Sequence, residues 1–144
     1  MADMRKVSGV DLGLLVIRLG IGGFFVLFFG LQKIKAGPQM WEGLGKALGP
    51  FGIHFWPTFW GFMATMGEFG GGLLFLLGIF FRPGCALLLC VMTVATVTVF
   101  PKGMAGGAFT PICVGITVLG LLLAGPGAMS LKQLVPPLRN KWFG

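Results

Sequence analysis

Two ionisable side chains stand where a membrane would exclude them. Arg18 lies within the apolar run from Leu12 to Leu31, and Glu68 within the run from Thr58 to Phe81. A charge at bilayer depth costs on the order of a few kcal/mol even on lenient insertion scales, so each group is expected to have a partner. Arg18 is six residues into its run, about 9 Å from one surface, and Glu68 is ten residues into its own, about 15 Å from the other. In a hydrocarbon core of about 30 Å their backbones differ in depth by roughly 6 Å, a distance an arginine side chain spans, and a direct Arg18–Glu68 ion pair is expected. Such a pair is either a staple fixing the register of two helices or the polar end of a site for a quinone, a small acid or a proton.

The residues at helical spacing from these charges are small. Gly61, Ala64, Glu68, Gly71, Gly72 and Phe75 recur at steps of three and four, a stripe that allows close helix approach. Arg18, Gly22, Phe25 and Phe29 share a face in the same way. Thr110, Cys113, Thr117, Gly120 and Ala124 form a weakly polar stripe near the C-terminus, and Cys90, Thr93 and Val97 form another. Gly22, Gly71, Gly72, Thr93 and Thr117 are therefore the candidate lining of a pocket beside Arg18 and Glu68. The three cysteines have no metal-ligand or redox spacing and read as small packing residues. His54 is a lone histidine in a loop, so no metal site is expected, and no motif ligates a cofactor.

The elements that must carry these residues follow from composition. Of 144 residues, 56% are hydrophobic and 10% charged, with mean hydropathy +0.92. That excludes an ordinary soluble domain and points to an all-α integral membrane protein. The net charge of +7 comes from cations spread between the apolar blocks. They read as loop charges facing lipid headgroups, not as a nucleic-acid surface. Four transmembrane helices are expected at 12–31, 58–81, 84–100 and 108–125, forming a four-helix bundle in one domain over 1–144, the first run being an uncleaved span. Arg82, Pro83 and Gly84 would turn the second helix into the third. Pro111 sits either in the first turn of the fourth helix with Thr110 as cap or at a kink in a helix starting nearer Met104.

The long first loop, 32–57, holds a candidate interfacial helix over Pro38 to Leu48, with Met40, Leu44 and Leu48, or Trp41 and Leu44, on one side and Glu42 and Lys46 paired on the other. Phe51, Phe55, Trp56 and Trp60 then read as an aromatic belt or a docking surface for another subunit. With four spans and a tail over 126–144, Arg5, Lys6, Arg82, Lys132, Arg139 and Lys141 share one side and Lys33, Lys35, Lys46 and Lys102 the other. Six cations against four favour both termini in the cytoplasm.

At three separated places the sequence resembles the DoxX family of small four-helix bacterial membrane proteins. Glu68, Gly71, Gly72, Leu73, Leu74, Leu77, Gly78 and Arg82 resemble that family's Glu-x-x-Gly-Gly-Leu-Leu-x-x-Leu-Gly segment and basic turn. Arg18, Leu19 and Gly22, with Gly30, Leu31, Gln32 and Lys33, resemble its first-helix pieces. Gly125, Pro126, Gly127, Ser130 and Leu131 resemble its Gly-Pro-Gly-x-x-Ser-Leu. Many members carry a histidine where this chain has Phe29 and an aspartate where it has Lys132. The paired cysteines of thiol-linked members are missing. The resemblance implies a multi-pass protein of the bacterial cytoplasmic membrane, acting as a non-catalytic subunit of a respiratory or redox complex, with lipid and other membrane subunits as partners and a quinone as the candidate cofactor. The alternatives it leaves are a stand-alone quinone-linked oxidoreductase, a small-molecule transporter and a purely structural accessory subunit.

Overall fold

The computed structural model describes residues 8–130. Arg5, Lys6, Lys132, Arg139 and Lys141, whose count set the expected orientation, lie outside the described residues.

The first helix, α1, spans Gly9–Ala36 and is interrupted by a wider π turn at Phe25–Gly30. Ser8 caps it: its hydroxyl accepts from the Asp11 N–H while the Asp11 carboxylate accepts from the Ser8 N–H, satisfying two otherwise orphaned donors. The helix outruns its apolar segment by five residues and stops at Gly37, whose φ of 76° suits glycine. Pro38 then opens a short helix, α2, at Pro38–Gly45, followed by a 3-10 turn at Lys46–Phe51. Here Trp41, Leu44 and Leu48 are partly buried and Met40 is exposed, while Glu42 and Lys46 pair at 2.8 Å.

The next helices are α3 at Pro57–Leu77, α4 at Phe81–Val99 and α5 at Phe109–Ala124. The turn between α3 and α4 is Gly78 to Phe80, so Arg82, Pro83 and Gly84 belong to the first turn of α4, where the missing proline N–H has no intrahelical partner to lose. The expected turn at Arg82–Gly84 is thus displaced, because Gly78, at φ 68°, ends α3 four residues short of the apolar run. A 3-10 turn at Phe100–Lys102 and a π turn at Met104–Ala108, broken at Gly107 (φ 109°), lead into α5, and Pro111 sits in its first turn.

The segments Gly9–Ala36, Pro57–Leu77 and Phe81–Lys102 are each long and apolar enough to cross a membrane. Helix α5 is a shorter apolar helix of 16 residues, about 24 Å. Among the described residues no strand occurs.

Packing runs in chain order: α1 against α3, α3 against α4, α4 against α5. Glycines set the approach. A Cβ on Gly22 would meet Leu76, one on Gly72 would meet Phe25, and one on Gly30 would meet Phe69, which fixes α1 on α3. Gly71 and Gly84 play the same part between α3 and α4. Around these contacts Phe25, Phe75, Phe81, Leu88 and Leu121 form the buried core. Helix α2 lies tight on α3, since Gly45 faces the Pro57 carbonyl and Gly61 faces the Trp41 carbonyl, and neither position has room for a Cβ.

Candidate functional site

Arg18 and Glu68 do not pair. The Glu68 carboxylate binds Lys33 instead, with Lys33 Nζ 2.6 Å from each of its oxygens. Glu68 is buried at 4% exposure, and the Lys33 side chain is 20% exposed. The lysine ammonium also stands over the Phe29 ring, 5.7 Å from its centroid, and the Lys33 carbonyl accepts from the Trp41 indole at 2.9 Å. Phe29 thus presents a ring face to a cation.

The reason for this pairing is the π turn. At a uniform 3.6 residues per turn the face holding Arg18, Gly22 and Phe25 continues to Phe29. The residues buried on α1 are Arg18, Gly22, Phe25 and Gly30, at steps of four, three and five. The wider turn advances the buried face by one residue. Lys33, three beyond Gly30, therefore turns inward to Glu68.

Arg18 is buried, at 1% exposure, and is satisfied by main chain. Its Nε donates to the Phe75 carbonyl at 3.1 Å and its Nη2 to Leu76 at 2.9 Å, two of the carbonyls that the end of α3 leaves without helical partners. Its Nη1 donates to Pro126 at 2.8 Å and to Met129 at 3.5 Å. These α3 carbonyls lie seven and eight residues beyond Glu68, about 10–12 Å along the axis. The guanidinium fits there because a helix C-terminus carries partial negative charge. Its Cζ also lies over the Phe81 ring, 5.9 Å from the centroid. Two turns earlier on α1, Asp11 accepts from the Ala128 N–H at 2.8 Å. Arg18 and Asp11 together tie the segment after α5 to α1 and α3, with Ser130 fully buried beside Gly78.

A cleft of about 840 Å³ lies between α1 and α5, floored by α3 and α4. This is within the range of about 300–1,000 Å³ typical of small-molecule sites. Ile17, Ile21, Phe24 and Phe29 form one wall, Pro111, Val114 and Thr117 the other, and Met92, Ala95 and Val99 the floor, with Lys33 and Glu68 as its ionised groups. Of the expected lining residues, Thr117 is placed in the cleft wall. Gly22, Gly71 and Gly72 are instead helix contact points, because their missing side chains are filled by Leu76, Leu88 and Phe25. Thr93 lies outside, in a shallow groove between α4 and α5 with Leu89, Ile112 and Ile116. Its hydroxyl donates to the Leu89 carbonyl at 2.8 Å, so this threonine meets its polar requirement within its own helix. Thr117 does the same with Cys113. Cys90, Cys113 and Gly120 are exposed, so only part of the expected weakly polar faces reaches the cleft. Lys33, Phe29 and the cleft floor were not among the sequence candidates. The signal for Lys33 was Gly37-Pro38, a stop six residues beyond the end of the apolar run.

A family model described as DoxX matches residues 13–101, which covers α1 to the turn after α4 and leaves α5 and the Gly125–Ser130 segment beyond the matched stretch. No curated protein and no solved structure matches the sequence.

Proposed function

The chain belongs to the DoxX family, and from that premise we propose that this integral membrane protein is a small subunit of a quinone-linked redox complex whose cleft faces the quinone. The observation that carries the reading is the cleft itself: an apolar volume at bilayer depth with one ion pair, Lys33–Glu68, at its end. A quinone has the complementary chemistry, an apolar body with oxygens at the head. The Lys33 ammonium is the donor suited to a ring carbonyl, Glu68 is the acceptor suited to a ring hydroxyl, and the Phe29 and Phe24 rings supply apolar surface. In this reading the chain holds and orients the quinone and partner subunits supply the electrons. The outer helix faces meet lipid and those subunits, in the bacterial cytoplasmic membrane with both termini inside. The aromatic patch of Phe55, Trp56, Phe59 and Trp60, whose rings meet edge to face, suits a membrane interface.

Purification in mild detergent, with analysis of co-migrating proteins and extracted lipids, tests the proposal. The expected result is a larger particle containing quinone. A lone monodisperse particle with bound quinone contradicts the subunit role and favours a stand-alone oxidoreductase. A lone particle without quinone contradicts both and favours transport of another small molecule.

A further inference from the structure

The cleft has a shape that bears on how its ligand arrives. Its α1 wall runs from Ile17 to Lys33, 16 residues or about 24 Å, so the cleft is elongated along the membrane normal with its ion pair at one end. Helices α1 and α5 form its opposite walls, yet they do not pack along their lengths as the other neighbouring helices do. The rim is open: Phe24 is 58% exposed, and a Cβ on Gly20 would meet nothing within 4 Å. Near the Ile17 end a different arrangement holds the helices together. There Arg18 joins α1, the end of α3 and the segment after α5. At the other end stand the Lys33–Glu68 pair and Gly107, whose φ of 109° breaks the turn leading into α5.

We propose that the ligand enters the cleft sideways from the bilayer, through a portal between α1 and α5, with a prenyl chain laid along α1 towards Ile17 and its ring beside Lys33 and Glu68. This inference rests on the reading of the cleft as a quinone site. The ligand is thereby specified as a single-chain isoprenoid quinone drawn from the membrane pool. A prenyl quinone is expected to bind in preference to the same ring without its chain, because an apolar slot this long is matched by a chain. The break at Gly107 gives the α5 wall a place to flex, since glycine carries no steric penalty at that φ.

The test uses the full chain in lipid nanodiscs. Cys85, Cys90 and Cys113 are replaced by alanine, and the Phe24→Cys and Thr117→Cys pair bridges the rim with a bis-methanethiosulfonate linker that reductant removes. The probes are a short-chain prenyl ubiquinone and the same dimethoxybenzoquinone ring without its chain. Quenching of tryptophan fluorescence reports binding, Trp41 being bonded to Lys33. Before bridging, the prenyl quinone is expected to bind. After bridging, its association is expected to slow at least about tenfold, and reductant is expected to restore it. Quinone loaded before bridging is expected to stay bound. Unchanged association after bridging overturns the portal while leaving the quinone site standing, and so does a loss that reductant does not reverse. If neither the wild type nor the unbridged variant responds to either probe, the quinone reading itself fails and the portal with it.

Discussion

Arg18→Ala should be among the most destabilising single substitutions in the chain. The guanidinium makes three well-formed bonds, to Phe75, Leu76 and Pro126, and a longer one to Met129. A hydrogen bond to a charged group contributes about 1.5–3 kcal/mol. Three such bonds give an upper bound of about 5–9 kcal/mol, reduced because they share one side chain and because the unfolded segments also find partners in the membrane. A loss of about 3–5 kcal/mol is expected, a large part of the roughly 5–15 kcal/mol that holds a domain together. Arg18→Lys should recover less than half of it, because a single ammonium cannot reach both the end of α3 and the Pro126 carbonyl as the fork does. The assay is reversible unfolding in mixed micelles followed by tryptophan fluorescence. Combining Arg18→Ala with Glu68→Gln should give the sum of the two single effects to within about 0.5 kcal/mol, since the groups share no partner. A loss below about 1 kcal/mol, or a large coupling to Glu68, would refute the assignment of Arg18 to the helix end.

Lys33→Gln and Glu68→Gln each leave a charge unpaired in the bundle and should cost about 3 kcal/mol, the low end of the range for broken buried pairs because Lys33 is partly exposed. The double substitution should cost clearly less than the sum, by more than about 1 kcal/mol in the same unfolding assay, and simple additivity would count against the pair. Gly61→Ala, or Gly45→Ala, places a Cβ against the Trp41 or the Pro57 carbonyl and should detach α2 from α3. The expected sign is protease cleavage between residues 37 and 56 that the wild type resists; equal resistance would show that α2 docks by other means.

The class of fold was legible because hydropathy and length decide it: the four apolar runs correspond to three helices long enough to cross a membrane and the shorter α5, and Gly61, Gly71 and Gly72 lie at helix contacts. The charge pairing was not legible, for reasons that sit in particular residues. The apolar run ends at Leu31, but helix continues to Ala36 under the stop signal Gly37-Pro38, so Lys33 read as a loop cation. The π turn at Phe25–Gly30 then shifted the inward face, which a regular helical period does not anticipate. Arg18 stands out as an exception in an apolar run, but its partners are main-chain carbonyls, groups every residue carries and no sequence pattern marks. Thr93 and Thr117 fell on a polar stripe, yet each bonds its own helix, so polarity did not fix the direction they face.

The central claim is that the cleft between α1 and α5 holds a quinone head at Lys33 and Glu68. Photolabelling the protein in nanodiscs with an azidoquinone carrying a prenyl chain, and mapping the adducts by mass spectrometry, tests it most directly. Adducts at Phe29 and Lys33 on α1 and at Met92 and Ala95 on α4, lost on competition with unlabelled quinone and reduced in Lys33→Gln, are the predicted result. Adducts confined to the outer groove at Leu89, Ile112 and Ile116, unchanged by Lys33→Gln, would contradict it.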